Sequence, residues 1–425
     1  MKKMLLILSL LIYSISNAQI VNIPDTNFKN KLLSANTSNL IAEDINGLNI
    51  VIDINNDGEI QISEALDVYQ LRIIACNISD LTGIEAFVNL THLYCKENNL
   101  TTLDISNNTE LILLNCIYNN LNSLDTSNNI ELVSLTCGDN NNLNMLDISN
   151  NVKLDLLWCG NSNITNLDLS NNILLTNLSC GFNPGLSLDL SNNPALTDLT
   201  CMRNHTNVDV TNNPALINLS CYYNNLTALD LSNNPNLAIL SCMYNNLTTL
   251  DISNCPDLFY LNCVNNNFTT LDLSSCSLLR QFYCNDIPNL EYINLKNGNN
   301  HNLSVSTEDL PSLTDVCVDE LGSDLTDTIL SSTGHSVNFY TDCSTLNLIK
   351  TDFLSFSVYP TPTDNILNIK STTEISKIEI YSKLGQLIKE TTGNKVDISN
   401  LTQGLYFVKV EDINGNFGVK KIVKK

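Results

Sequence analysis

Two short segments of alternating apolar and polar residues recur along the chain at an interval of about 21 residues. Residues 221–236 read CYYNNLTALDLSNNPN, and CMYNNLTTLDISNCPD follows one interval later. Both fit the frame L-x-x-L-x-C-x-x-N-x-L-x-x-L-D-[LI]-S-N-N-x-x, in which L-x-C and L-D-[LI] alternate with period two. Such alternation is typical of strands with one buried face, and a fixed interval of this length is typical of a solenoid. The pattern predicts an all-β fold with two short parallel strands in each coil and asparagines at the turns.

The frame resembles the bacterial leucine-rich repeat, in particular the class in which L-x-x-L-x-C-x-x-N-x-L alternates with L-x-x-L-D-L-S-x-N. The resemblance covers residues 71–297 and implies a leucine-rich repeat solenoid. Three coils depart from the frame. Ser162 replaces an asparagine, Asn142 is an insertion, and the coil around Val208 is one residue short.

Most of the cysteines belong to one column of this frame. Eleven of the fifteen occupy its sixth position: Cys76, Cys95, Cys116, Cys137, Cys159, Cys180, Cys201, Cys221, Cys242, Cys263 and Cys284. That position points inward, so we expect reduced thiols that act as small hydrophobic side chains, without a catalytic role. Cys317 and Cys343 lie outside the repeats and are predicted to form a disulfide that fastens a C-terminal cap over residues 298–351. Cys255 and Cys276 lie on adjacent turns and could also pair, although this is the less favoured pairing.

An aspartate recurs in the second segment of nine coils and is predicted to point outward. These residues are Asp104, Asp125, Asp147, Asp168, Asp189, Asp209, Asp230, Asp251 and Asp272. Each carboxylate could cap the backbone N–H groups of the Ser-Asn turn that follows it, or the column could bind cations. The cap is favoured because local Asx hydrogen bonds are common in such turns.

The outward positions of the first segment and the residues beside them are small and polar, with larger side chains among them. We predict a partner-binding face that includes Tyr94, Tyr118, Trp158, Phe182, Tyr223 and Tyr244. Aromatic residues with adaptable polar neighbours are typical of protein recognition surfaces. The alternative is a carbohydrate-binding surface, which would need aromatic platforms on consecutive coils. Because Trp158 is separate from the pair Tyr223 and Tyr244, a protein ligand is favoured.

Residues 19–70 form a predicted N-terminal cap with a short helix that begins at Asp25 or Thr26. DINNDGEIQISE follows at residues 53–64 and matches the EF-hand calcium loop at every defined position. We expect side-chain oxygens from Asp53, Asn55, Asp57 and Glu64, and the backbone carbonyl of Glu59, to hold a structural calcium ion. The alternative is a polar turn without a metal.

The two ends of the chain carry export signals. Lys2 and Lys3, the apolar run MLLILSLLIYSI and the small residues before position 19 indicate a signal peptide over residues 1–18. Residues 352–425 alternate as strands of a small antiparallel β-sandwich. They resemble the sorting domain of the type IX secretion system of Gram-negative bacteria. The resemblance rests on Pro360 and Pro362, on Gly385-Gln386, on Gly404-Leu405-Tyr406 and on the basic last strand. It implies recognition by that machinery, and a secreted or outer-membrane surface location.

The composition narrows the classes of function. The formal net charge is −23, and the residues from Asp352 onward carry ten lysines against eight acids, so residues 1–351 carry −25. Such an acidic chain is not expected to bind nucleic acid. No apolar stretch has the length of a transmembrane helix. The four histidines, His92, His205, His301 and His335, show no metal-binding or catalytic spacing, so an enzyme is not expected.

Overall fold

The structure, a computed structural model, describes residues 19–204, 207–343, 356–359, 365–371, 373–382, 387–413 and 417–425. The chain divides into two compact units, Met1–Thr341 and Asp342–Lys425. The predicted signal peptide over residues 1–18 lies outside the described residues, as do His205, Pro360, Pro362 and Gly385-Gln386.

The first unit is built on one sheet of thirteen strands. Strand β1 pairs antiparallel with β2, and every later pair in this sheet is parallel and in register, as between β4, β5 and β6, where Leu114, Leu135 and Leu157 pair in turn. The strands are β1 (Ala42–Glu43), β2 (Gln70–Arg72), β3 (His92–Tyr94), β4 (Leu113–Asn115), β5 (Ser134–Thr136), β6 (Leu156–Trp158), β7 (Asn177–Ser179), β8 (Asp198–Thr200), β9 (Asn218–Ser220), β10 (Ile239–Ser241), β11 (Tyr260–Asn262), β13 (Gln281–Tyr283) and β15 (Ser304–Ser306). The all-β leucine-rich repeat solenoid predicted from the frame is confirmed.

The second strand of each coil forms less regularly than predicted. The L-D-[LI] segments make isolated bridges, such as Asp125 to Asp147, until a four-stranded sheet begins in the last coils. That sheet contains β12 (Thr270–Asp272), β14 (Tyr292–Asn294), β16 (Asp315–Cys317) and β17 (Asn338–Tyr340). The aspartate caps do not account for this difference, because Asp104 accepts from the Ser106 amide at 3.0 Å outside any strand, whereas Asp272 accepts from the Ser274 amide at 2.9 Å within the paired strand β12.

Two columns of buried asparagines join the coils at the turns. In the first column, three residues after each column cysteine, Asn119 accepts from the Leu100 N–H at 3.0 Å and donates to the carbonyls of Cys95 and Cys116. The second column is Asn108, Asn129, Asn151, Asn172, Asn193, Asn213 and Asn234, whose amide groups donate to carbonyls of the preceding coil, as Asn129 does to Ile105. The first column therefore supplies acceptors for turn N–H groups such as that of Leu100, whereas the second adds donors to carbonyls of the preceding coil.

The cysteine column lies in the core. Every column member except the half-exposed Cys76 is buried, and all eleven are free thiols, as are Cys255 and Cys276. Burial raises the pKa of Cys95, Cys159 and Cys221 to about 12. The prediction of small, unreactive core side chains agrees with this placement. Cys317 and Cys343, by contrast, are both disulfide-bonded.

Short helices close the two ends of the first unit. Helix α1 (Thr26–Leu33) has Asp25 as its N-cap, with Oδ1 accepting from the amides of Asn27 and Phe28. Helix α2 (Ile62–Ala65) begins within the last three residues of the predicted calcium loop. Helix α3 (Asp324–Thr333) lies between β16 and β17, so both sheets continue beyond residue 297. The region predicted as a C-terminal cap therefore extends the stacked coils.

The second unit contains two antiparallel sheets around their own core. The first sheet is β18 (Phe356–Tyr359), β19 (Ile366–Ser371) and β22 (Lys395–Asp397), and the second is β20 (Ile375–Ser382), β21 (Leu387–Thr391), β23 (Gly404–Asp412) and β24 (Phe417–Lys424). Side chains from both sheets, such as Leu367 and Val408, are fully buried. This arrangement agrees with the small antiparallel β-sandwich predicted from the alternation of its strands.

Candidate functional site: the strand face of the solenoid

The strand face consists of the outward side chains of the thirteen-stranded sheet, together with the two residues that follow each column cysteine. The second of these two residues has a left-handed backbone in coil after coil. Positive φ angles are found at Glu97, Tyr118, Asp139, Asn161, Phe182, Arg203, Tyr223, Tyr244, Asn265 and Asp286. Asparagine and aspartate tolerate this conformation, whereas for other non-glycine residues it costs roughly 1–2 kcal/mol each. Four neighbouring coils nevertheless place bulky side chains there.

Those four residues, Phe182, Arg203, Tyr223 and Tyr244, form a continuous stack that we call the edge ladder. The Arg203 guanidinium lies 5.2 Å from the centroid of the Phe182 ring and 4.7 Å from that of Tyr223. The rings of Tyr223 and Tyr244 are stacked, with centroids 4.3 Å apart and planes 8° from parallel. The neighbouring Tyr223 phenol also raises the pKa of Tyr244. The left-handed position thus produces a row of side chains that orient one another.

The structure brings together only part of the predicted partner-binding face. Phe182, Tyr223 and Tyr244 are united by Arg203, a residue that sequence reasoning missed. Tyr118 is 52% exposed and belongs to a separate coil nearer the N-terminus. Tyr94 lies on β3, where the Arg72 guanidinium is 4.7 Å from its ring centroid.

Two further aromatic residues of the strand face, Tyr222 and Tyr260, were also missed. The rings of Tyr260 and Tyr283 are 5.6 Å apart on β11 and β13. Tyr222 makes an edge contact with Tyr223. Alignment of the coils on the two positions after each cysteine would have revealed Arg203 and Tyr222, because these positions share one side of the sheet.

The aspartate column has the local role that the cap hypothesis assigns to it. All nine carboxylates accept the N–H of the serine or threonine two residues later, at 2.9–3.0 Å. Hydrogen bonds with that following residue lower the pKa values of Asp168 and Asp230, both of which are exposed to solvent. The repulsion between successive carboxylates is therefore offset within each coil, and no cation is required to explain the column.

The predicted calcium loop is closed by hydrogen bonds to its own acidic residues. Asp53 accepts from the amides of Asp57 and Gly58 at 3.1 and 3.0 Å, and Glu64 accepts from Ile54 and Gln61 at 2.9 Å each.

The donor types of this loop fit a hard cation. Asp53 and Glu64 are only 9% and 6% exposed, and within the described part of the chain neither forms an ion pair with a basic side chain. Buried carboxylates and an all-oxygen donor set are what calcium requires. The side-chain amides of Asn55 and Gln61, however, both donate to Asp57 at 2.9 Å. Accordingly, no group of three or more His, Cys, Asp or Glu side chains is placed to hold a metal ion in the described residues.

Comparisons with known proteins identify both units. Residues 357–425 match the secretion system C-terminal sorting domain. The chain is similar in structure to the functional domain of InlJ from Listeria monocytogenes, which includes a cysteine ladder, with 25% identity, a TM-score of 0.61, and coverage of 96% of this chain and 98% of that one. It also resembles the internalin inlF from Listeria monocytogenes, with 19% identity, a TM-score of 0.53, and coverage of 77% of this chain and 99% of that one. No curated protein sequence matches the chain.

These findings bear out the family resemblances noted in the sequence. The chain combines a leucine-rich repeat solenoid with a C-terminal sorting domain of the type IX class, which indicates an exported protein that is secreted or held at the cell surface. Over the described residues, no helix has the length and apolar character needed to cross a membrane.

Proposed function

We propose that this protein is exported to the surface of a Gram-negative bacterium, where the strand face of its solenoid binds a protein partner in a non-catalytic, adhesive role. The edge ladder is the observation that carries this proposal. Four bulky side chains occupy left-handed positions on neighbouring coils, and each costs roughly 1–2 kcal/mol of backbone strain. Strain of this kind is characteristic of functional sites, where the surrounding fold holds residues in conformations that they would otherwise avoid.

The chemistry of the strand face supports a protein ligand. Aromatic side chains line it from Tyr94 to Tyr283, whereas the aspartate column supplies a charge to nearly every coil away from it. Enrichment in aromatic residues and arginine, with depletion of lysine and glutamate, distinguishes the centre of protein interfaces from other surfaces. The rigid aromatic stack also loses little side-chain entropy on binding.

The stacking of the rings disfavours the carbohydrate alternative. A sugar platform needs an open ring face, but Tyr223 and Tyr244 stack on each other and Arg203 lies over Phe182 and Tyr223. The consecutive aromatics that a glycan binder would use therefore direct part of their ring surface toward their neighbours. Their exposed edges and hydroxyl groups remain suited to contacts with a protein.

The test is a capture experiment with cell-surface proteins. The purified chain would be cross-linked to an outer-membrane extract, in parallel with a Tyr223→Ser/Tyr244→Ser variant and with Ile173→Ser as a control. Ile173 is 56% exposed and lies on a turn away from the strand face. We expect the control to retain the captured protein and the double variant to lose it. Equal capture by all three chains would contradict the proposal.

The calcium loop is proposed to be structural. An ion held by the oxygens of Asp53, Asn55, Asp57, Glu59 and Glu64 would neutralise the buried carboxylates and fasten the N-terminal cap against the first coil. Single loops of this type in extracellular modules bind with dissociation constants of about 10⁻⁴ to 10⁻³ M. The ion would therefore matter at extracellular calcium concentrations.

The C-terminal unit is proposed to direct the last step of export. The type IX machinery would recognise this unit, carry the protein across the outer membrane and remove the unit on arrival. The match over residues 357–425 supports this route. The mature protein would then present the solenoid alone.

A further inference from the structure

A narrow trough lies on the strand face immediately before the edge ladder. It has a volume of about 240 Å³ and is lined by Trp158, Asp139, Gly160, Gly181, Phe182 and Met202. Ligand pockets for whole small molecules usually enclose about 300–1,000 Å³, so this space suits a single long side chain. We call it the glycine trough.

Glycines on three successive coils occupy a position where other coils carry side chains, and two of them, Gly160 and Gly181, line the trough. Gly138, Gly160 and Gly181 each follow a column cysteine, whereas the next coils have Met202 and Tyr222 there. A Cβ at Gly160 would lie 2.9 Å from the Gly181 carbonyl oxygen and 3.3 Å from Trp158 Nε1. The glycines therefore allow close approach of neighbouring backbones, and they leave room for the indole ring to lie over the floor.

The walls of the trough combine an aromatic ring with a carboxylate. Trp158 is half-buried on β6, and Asp139 occupies the left-handed position two coils before Phe182. One oxygen of Asp139 accepts from the Asn161 amide. Among the residues that the structure describes, no lysine or arginine lines the trough. Tryptophan is the side chain that attracts cations most strongly through its ring face.

One coil beyond the trough, the protein already holds a guanidinium group against aromatic rings. Arg203 lies over the rings of Phe182 and Tyr223, so the column beside the trough accepts a cation between aromatic neighbours. The trough is likewise lined by two aromatic side chains, Trp158 and Phe182, with the Asp139 carboxylate in addition. The net charge of −23 would further attract a basic partner.

From this geometry we infer that the glycine trough binds a lysine or arginine side chain of the protein partner, stacked on Trp158 and paired with Asp139. The inference rests on the proposed function and specifies the chemistry of the anchor residue.

Trp158 is the single tryptophan of the chain, so its fluorescence reports directly on the trough. The probe is the peptide acetyl-Gly-Arg-Gly-amide, titrated into the chain from residue 19 to residue 425. The neutral isostere with citrulline in place of arginine is the matched control peptide. We expect a saturable change in emission, at millimolar concentrations, with the arginine peptide only. Added salt should weaken it, because an ion pair at a partly exposed site is screened.

Two variants complete the test. Asp139→Asn keeps a residue that tolerates the left-handed backbone, and it should weaken arginine binding about fivefold, the factor that corresponds to about 1 kcal/mol. Asp286→Asn, at the same position of a distant coil, should leave binding unchanged. Equal responses to arginine and citrulline, no response to either, or unaltered binding by Asp139→Asn would overturn the inference.

A saturable response to a chito-oligosaccharide in place of the arginine peptide would also overturn it. Because the capture experiment depends on Tyr223 and Tyr244, it can succeed when the trough assignment fails, and the two proposals are therefore separable.

Discussion

Replacement of one buried asparagine by alanine should destabilise the solenoid much more than replacement of another. Asn140 and Asn129 are both fully buried and belong to the two asparagine columns. Asn140 Oδ1 accepts from the Leu121 N–H at 3.0 Å, and its amide donates to the carbonyls of Cys116 and Cys137 at 3.1 and 2.9 Å. Asn129 only donates, at 3.0 and 2.8 Å, and its own Oδ1 has no hydrogen-bond partner.

The difference in cost follows from which groups are left unpaired. Asn140→Ala leaves the buried Leu121 N–H without an acceptor, at about 1–3 kcal/mol, and removes two further hydrogen bonds worth about 0.5–1.5 kcal/mol each. We therefore expect a loss of about 3 kcal/mol in the free energy of unfolding. Asn129→Ala removes an unsatisfied oxygen, and the carbonyls that lose its amide keep their backbone partners, Asn108 N–H and Leu111 N–H. Its expected cost is about 1 kcal/mol, since the lost donations are partly offset.

Hydrogen exchange is the appropriate assay, because each coil of a solenoid is stabilised mainly by its neighbours and can open locally. A difference of about 2 kcal/mol corresponds to a roughly 30-fold difference in the exchange rates of the amides between Leu121 and Cys137. Urea unfolding followed by circular dichroism would show whether the effect extends to the whole unit. Equal acceleration of exchange in the two variants, or a larger effect for Asn129→Ala, would refute the reasoning from unpaired groups.

Four other predictions follow from features of the two units. Calcium should raise the melting temperature of the parent chain and of Asp67→Asn, an exposed control outside the loop, but not that of an Asp53→Asn/Glu64→Gln variant. The same rise in the double variant would exclude a calcium site. Thiol titration of the native protein should leave the ten buried column cysteines unmodified, because burial raises the pKa of members such as Cys95 and Cys159 to about 12, and modification of these thiols without denaturant would contradict this. The caps hold the pKa of seven column aspartates, from Asp104 to Asp230, below the ordinary value of about 3.9. The caps therefore stabilise the folded state fully above this pH, and this stabilisation is lost as the pH falls below it. Asp→Asn substitutions along the column should consequently make the stability, measured by circular dichroism, less dependent on pH in the acid range. Deletion of residues 352–425 should retain the solenoid in the periplasm, and cell fractionation that found it at the surface would refute the assigned role of the tail.

The sequence sufficed for the parts of the fold that repeat in every coil. Leucine and cysteine at inward positions recur with a constant interval, so the core, the parallel register and the turn asparagines could be predicted. The partial second sheet could not, because the same L-D-[LI] segment, with the same aspartate cap, makes isolated bridges in earlier coils and paired strands in the last ones. The frame alone does not reveal which coils pair.

The site was harder to predict because it depends on what differs between coils. The left-handed position carries asparagine or aspartate in some coils, such as Asn161 and Asp139, and so resembles an ordinary turn position. That Arg203 belongs to the edge ladder follows only from its distances to the rings of Phe182 and Tyr223, which the sequence does not give. The glycine trough likewise requires four coils in register, which single repeats do not show.

The buried cysteine column sets a time limit on the folding of this exported chain. Oxidising compartments outside the cytoplasm favour disulfides, and an unfolded thiol with a pKa near 8.5 is a few per cent thiolate at neutral pH. Once a coil is stacked, a pKa of about 12 lowers that reactive share by about three orders of magnitude. Coils must therefore stack before oxidants reach their thiols. Pairing between neighbouring coils makes this possible, since contacts of short sequence separation form fast.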